Sequence, residues 1–128
     1  MLRTLVLTLV VMLASPVAEG AEARPYSDEA FAALQAEGSP ILVDVYATWC
    51  PTCRRQGQIL EPLLAEPEFA GLIVLKLDWD AQRDAARALG APRQSTLIVF
   101  RGDEERGRSI ADTSEAGIRG LLERAVAD

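Results

Sequence analysis

The chain contains no histidine, so it has no imidazole to act as a base or to ligate a metal. It has no glycine-rich phosphate loop, and no nicotinamide or flavin motif can be found in it. Its basic residues are scattered, with neither a stripe nor interleaved aromatics, and the net charge is −6, which argues against a nucleic-acid surface. Cysteine is almost absent as well. The only two, Cys50 and Cys53, stand three positions apart in the stretch Ile41–Arg55, ILVDVYATWCPTCRR. Everything chemically specific in the chain is concentrated there, and a redox site is the leading reading.

Long apolar runs are also lacking. Leu5–Ala14 is apolar but too short to span a bilayer as a helix of about 20 residues, and Pro16 follows it as a breaker. With Arg3 ahead of it and small residues behind it, the segment reads as a secretory leader, cleaved after Gly20 or, preferably, after Ala23. The expected organisation is therefore a leader over residues 1–23 and one domain over residues 24–128, and the expected location is export to a bacterial periplasm. Loss of Arg3, Glu19 and Glu22 moves the net charge from −6 to −5. The remaining length, about 105 residues, buries somewhat over 60% of its unfolded surface and needs no staple.

Export brings a compartment where disulfides persist, yet the Cys50–Cys53 pair closes only a four-residue loop. Such a loop stabilises by about 2 kcal/mol, against about 3 for a loop of 15 residues, so a purely structural role uses the pair poorly.

Local signals divide the rest. Ser27 ahead of Asp28-Glu29 starts a helix that ends at Gly38, with Ala30, Phe31, Ala33 and Leu34 as its stripe. Ile41–Ala47 is apolar on both faces, as a strand covered on both sides would be. Helical pattern runs from Cys50 to Leu64, with Gly57 and Pro62 as weak points. Leu72–Leu77 is a second strand, and Asp80–Leu89 a helix capped by Asp80 and ended by Gly90. Thr96–Phe100 is a third strand, residues 101–106 a charged turn, and Gly107–Ala111 a short hairpin partner. Asp112-Thr113-Ser114-Glu115 is a capping box for a last helix that buries Ile118, Leu121, Leu122 and Val126. This alternation predicts an α/β fold: a mixed central sheet flanked by helices on both faces, parallel across helical connections and antiparallel at the final hairpin.

The cysteines then sit where a strand meets a helix. A thiolate, not a thiol, attacks disulfides, and unpaired N–H groups at a helix N-terminus stabilise the anion. Cys50 takes that place and is assigned as nucleophile. Cys53, one turn on, is the resolving thiol. Pro51 suits the first helical turn, where a missing N–H costs nothing.

Asp44, in the middle of the apolar strand, is costly to bury unless partnered or protonated; the plainer alternative is a solvent-facing strand-edge carboxylate. Trp49 is either a flat apolar surface over the site or an ordinary core aromatic. Arg54 and Arg55 read as a solvated helix face.

Val43-Asp44-Val45-Tyr46-Ala47-Thr48-Trp49-Cys50-Pro51-Thr52-Cys53 resembles the active-site segment of the thioredoxin family. Lys76-Leu77-Asp78-Trp79-Asp80 is similar to that family's following strand end, and Thr96-Leu97-Ile98-Val99-Phe100 to the strand after its active-site loop. The resemblance runs over about residues 27–127. It implies a thioredoxin-like fold, and a buried Asp44 beneath the resolving cysteine that shuttles its proton with Lys76 as charge partner. It also implies a substrate groove touching Trp49, Pro51, Thr52, Gln94, Ser95 and Thr96, with no cofactor beyond the redox pair and no metal.

One position departs from the family. A cis-proline is expected immediately before Thr96, and the chain carries Ser95, with Pro92 three positions early. A cis bond costs about 2.5–4 kcal/mol before a residue other than proline, against about 0.5–1 for proline, so the Gln94–Ser95 bond is expected to be trans and its loop reshaped. Three consequences compete: the hydroxyl bonds to a cysteine sulfur and alters its acidity, mixed disulfides are released more slowly, or the missing ring leaves room for a metal. In the third case two chains would share a four-sulfur zinc or iron–sulfur centre.

The reading is an exported, monomeric thiol–disulfide oxidoreductase of protein-disulfide reductase type, exchanging with protein disulfides or dithiols and recharged by a membrane thiol-transfer donor. Potentials of this motif run from about −270 mV to about −120 mV, and spacing alone does not choose among them. Asp44 and the absence of an inserted helical domain resemble the reducing branch, while Pro51 points the other way. The alternatives are a thioredoxin-like docking module and the dimeric metal protein.

Overall fold

The computed structural model describes residues 20–128. The expected leader lies outside them, apart from its last four residues.

Five strands form one sheet in the order β1-β3-β2-β4-β5. They are β1 (Glu22–Pro25), β2 (Pro40–Tyr46), β3 (Ile73–Asp78), β4 (Thr96–Arg101) and β5 (Glu104–Ile110). The helices are α1 (Asp28–Ala36), α2 (Pro51–Leu64), α3 (Arg83–Ala88) and α4 (Glu115–Val126). β3 runs parallel to both β1 and β2, whereas β4 runs antiparallel to β2 and β5. The mixed sheet expected from the α/β alternation is therefore present, and the connections explain it. The connections through α1 and α2 leave β1, β2 and β3 running the same way, but the one through α3 returns the chain antiparallel to β2, against the expected parallel arrangement across every helical connection; the tight turn at Gly102, whose φ of +59° suits glycine, delivers the final hairpin.

Period-two alternation splits the sheet's side chains between two cores. Leu42, Val74, Leu97 and Val99 face α2 and α4, where Leu60, Leu63, Ile118 and Leu122 complete one cluster. Ile41, Val43, Val45, Leu75 and Ile98 face the opposite layer, where Leu34 of α1 and Ala86 of α3 close the second. Truncating a fully buried leucine such as Leu122 to alanine in a core of this kind costs about 2–5 kcal/mol. Asp44 shares the face of Leu42, so the alternation alone carries its carboxylate beneath α2.

Several boundaries depart from expectation. β1 begins inside the expected leader, and the boundary after Ala23 cuts through it, between Ala23, which pairs with Val74, and Arg24, which pairs with Leu75. Four polar and small residues at a sheet edge carry no periodicity of their own, and their pairing with β3 defines the strand. α3 begins at Arg83 rather than Asp80, because the Asp78 carboxylate accepts the N–H groups of Asp80 and Ala81 and holds them in a turn. β5 starts at Glu104, so the charged turn is shorter than expected; the hairpin continues through a bulge opposite Val99 and Phe100. The cap of α4 is Ser114, whose hydroxyl accepts from Gly117 N–H, while Asp112 braces Ser114 instead. A β-carbon on Gly117 would lie 2.1 Å from the Asp112 carboxylate, so this capping arrangement requires glycine there.

Candidate active site

The antiparallel register of β2 and β4 pairs Val45 with Thr96, which sets the residue before Thr96 against the end of β2. Ser95 N–H donates to Val45 O at 2.8 Å. The chain leaves β2 at that same end, turns through residues 47–49 and enters α2 with Cys50 as N-cap. Two segments more than forty residues apart in sequence thus meet over one strand end.

Cys50 is buried, and its sulfur accepts the Cys53 N–H at 3.2 Å, as a capping side chain does. The Ser95 hydroxyl oxygen lies 3.2 Å from Cys50 Sγ and 3.2 Å from Cys53 Sγ. Burial pushes the Cys50 thiol up, but hydrogen bonds from the Cys53 thiol, the Ser95 hydroxyl, the Cys53 N–H and the Gln94 side chain outweigh it and leave Cys50 below the ordinary thiol range. Cys53 moves the opposite way. Burial, its hydrogen bond to Cys50 and the Cys50 charge raise it, against smaller lowering from Ser95 and the Ala47 backbone. A pair pushed apart in this manner assigns the anion to Cys50 and the proton to Cys53.

Of the three consequences weighed for Ser95, the structure shows the first. The Gln94–Ser95 bond is trans, since no cis peptide occurs among the described residues, and the loop is reshaped: Ser95 adopts φ +63°, the left-handed region. A serine there carries backbone strain of about 1 kcal/mol or more. Ser95 is fully buried and held by three backbone-level bonds, its N–H on Val45 O and its carbonyl accepting from Ala111 N–H at 2.9 Å and from Gln56 Nε2 at 3.2 Å. The hydroxyl stands beside both sulfurs at the position where the resemblance placed a proline ring. Among the described residues no group of three or more metal-ligating side chains occurs.

Asp44 is buried and partnered: Lys76, the chain's only lysine, donates to its Oδ2 at 2.6 Å. Register explains the pair, because Asp44 and Lys76 are direct neighbours on parallel strands. The Lys76 ammonium also lies 4.5 Å from the centre of the Tyr46 ring. A cleft of about 360 Å³ between β3 and α2, lined by Asp44, Lys76, Gly57, Leu60 and Glu61, opens on this pair. Among the described residues no hydrogen bond joins Asp44 to Cys53.

Trp49 is no core aromatic. It is 57% exposed, and its indole N–H donates to Asp80 Oδ2 at 2.7 Å, which fixes a flat apolar face beside the cysteines. Pro51 and Thr52 line a second cleft, of about 550 Å³, together with Arg54, Arg55 and Ala111. Thr96 departs from its expected place in the groove. It is fully buried in β4, and its hydroxyl donates to Arg93 O at 2.7 Å, so its side chain closes the loop.

Two contributors went unread in the sequence. Gln56, buried among the apolar residues of α2, donates from Nε2 to both Ser95 O and Asp112 O, pinning the two loops that frame the sulfurs. Its spacing, three after Cys53 and four before Leu60, was the available signal. Asp80, read as a helix cap, anchors Trp49 instead.

A mixed sheet that delivers two unequal thiols to a helix N-terminus defines a thiol–disulfide oxidoreductase, the class to which this protein belongs. Comparison with known proteins gives the family. The thioredoxin family model matches residues 23–124. The chain is 32% identical over 88 residues to the bifunctional thioredoxin reductase/thioredoxin of Mycobacterium leprae, covering 69% of this chain and 19% of that protein. It is 38% identical over 71 residues to the thiol:disulfide interchange protein DsbE of Escherichia coli, covering 52% and 35%. The structure of Trxlp from Edwardsiella tarda superposes with a TM-score of 0.76 at 46% identity, over 79% of this chain and 98% of that one. The chain belongs to the thioredoxin family. It spans well under half the length of the two curated relatives named, which carry further sequence of their own.

Proposed function

We propose that this protein is exported and acts as a reductant of protein disulfides, with Cys50 as attacking and Cys53 as resolving thiol. The Cys50 sulfur capping α2 on the Cys53 N–H, with the Cys53 sulfur one turn further on, is the observation that carries the reading. In the first step the Cys50 thiolate attacks one sulfur of the partner's disulfide; a Cys50–partner bond forms and the partner's other sulfur leaves as thiolate. In the second, Cys53 gives up its proton and attacks Cys50 Sγ. The Cys50–Cys53 disulfide forms, the second partner thiolate departs, and two electrons have passed to the partner.

Asp44 is the proton's destination in this reading, since its cleft leads from beneath α2 to solvent. Trp49, Pro51, Thr52 and Gln94 supply the surface against which the partner chain lies. A membrane thiol-transfer protein restores the dithiol, and the protein works as a monomer in the periplasm.

The apolar run ahead of the domain supports export. Removal of the leader after Gly20 leaves β1 whole and makes Ala21 the N-terminus, whose amine can still donate to Leu64 O, and is preferred here over removal after Ala23.

An insulin-reduction assay with dithiothreitol, run beside Cys50→Ser, tests the activity. Turnover by the wild type and none by the variant is expected, and equal rates for the two would leave a docking module. Equilibration with glutathione buffers tests direction: a potential near −120 mV would make the protein an oxidant.

A further inference from the structure

We propose that the Ser95 hydroxyl is a two-position hydrogen-bond donor. It serves the Cys50 thiolate in the resting dithiol and turns to the Cys53 sulfur once Cys50 is tied up in a mixed disulfide, so that one side chain assists both exchange steps. This rests on the exchange reading above and adds a catalytic residue to it.

The geometry points this way. A hydroxyl has one proton to give and two lone pairs to receive. Here it is equidistant from two sulfurs, 3.2 Å from each, so its single proton serves one of them at a time. The oxygen cannot follow its partner by backbone movement, because Ser95 N–H, Ser95 O and the Gln56 amide lock the residue in place. Rotation about the C–O bond re-aims the proton without moving the oxygen, which already lies within reach of both sulfurs. In the resting protein the negative charge sits on Cys50 and the hydroxyl proton goes there, beside the bond that the Cys53 thiol donates to the same sulfur.

Formation of the mixed disulfide removes the charge from Cys50 and leaves its sulfur a poor acceptor. As Cys53 then gives its proton to Asp44, charge builds on Cys53 Sγ, 3.2 Å from the same hydroxyl. Rotation delivers the hydrogen bond where the anion now is. The nucleophilic sulfur bonds to Cys50 Sγ, the Cys50–partner bond breaks, and the partner's sulfur leaves with the electron pair. A proline at this position carries neither donor nor acceptor in its side chain and could not take part.

Other charged groups lie near the pair but do not replace this contact. Asp44 on β2 is held by Lys76 on β3, Arg54 and Arg55 on α2 line the outer cleft, and Asp112 before α4 braces Ser114. None of them has a hydrogen bond to either sulfur among the described residues.

The test uses Ser95→Ala and Ser95→Gly in the full reduced protein. Both remove the hydroxyl, while their backbone effects at φ +63° are opposite: alanine keeps the strain and glycine relieves it. The probe is an aromatic disulfide that releases one coloured thiolate when Cys50 attacks and a second when Cys53 resolves, followed by stopped-flow absorbance.

Loss of a hydrogen bond to a charged group is expected to raise the midpoint of Cys50 alkylation by about one pH unit. Below that midpoint about tenfold fewer thiolates form, each about threefold more nucleophilic, so each phase slows about threefold. Both phases slowing alike in both variants is the expected result. Slowing of the first phase alone would overturn the proposal, and so would divergence of the two variants, which would mark a backbone role. A wild type that releases only the first thiolate would overturn the exchange reading itself, and this proposal with it.

Discussion

Removing the ammonium from the Asp44–Lys76 pair should be far more damaging than removing the carboxylate, although each substitution breaks the same 2.6 Å contact. The asymmetry comes from burial. The Asp44 side chain is 7% exposed and that of Lys76 is 39% exposed. Lys76→Met leaves a carboxylate under α2 with no cation beside it. Stranding one partner of a fully buried pair costs about 3–5 kcal/mol, an exposed pair is worth about 0–1, and a pair open at the lysine end falls between, at about 2–3. Asp44→Leu leaves an ammonium that can reach water along its own stem and retains the Tyr46 ring beneath it, so its cost is about 0–1 kcal/mol.

For a domain of this size 1 kcal/mol moves the thermal midpoint by roughly 4–8 °C, so Lys76→Met should melt about 10 °C or more below wild type. In the Asp44→Leu background the same lysine substitution should cost almost nothing, because no charge is left to strand. Urea titrations of the four proteins, with unchanged slopes, provide the free energies. Equal losses for the two single variants, or a lysine substitution as costly without Asp44 as with it, would refute the burial argument. The same set tests function: Asp44→Leu, despite its stability, should slow the second thiolate release and leave the first intact.

Gln56→Leu should change stability by less than about 1 kcal/mol, because two neutral hydrogen bonds are lost while Oε1, buried without a partner among the described residues, is removed with them. Urea midpoints check that, and iodoacetamide kinetics should show Cys50 alkylating with a higher midpoint as the Ser95 loop loosens. Stability should also fall in strong alkali through Tyr26. Burial, with the Asp28 carboxylate beside it, pushes this phenol up to about 12 from 10.0, so the folded state resists an ionisation that the unfolded chain undergoes. The stabilisation is whole below pH 10 and is lost as pH rises towards 12. Tyr26→Phe should flatten that part of the curve in pH-dependent melts.

Much of the fold was legible because its signals are local. Ser27 and Gly90 mark helix ends by capping chemistry, and β2 and β4 announce themselves as apolar runs. β1 was hidden because four edge residues with no pattern acquire strand geometry only from β3. Asp80 misled for a related reason: an Asx turn at Asp78 and the distant Trp49 indole compete for the segment that propensity assigns to a helix start.

By itself the sequence located the redox pair and its setting. Two cysteines three apart, the first at a strand-to-helix junction, point to the thiol that caps the helix, and a serine where proline was expected makes a trans bond the expectation, which the structure bears out. The tertiary structure alone decided what that serine does. Its oxygen stands between the sulfurs because the β2–β4 register brings residue 95 to the end of β2, and because Gln56 and Ala111 hold its carbonyl from other elements. A hydrogen bond is directional and short, and contacts across more than forty residues depend on strand register and packing, which no local pattern encodes.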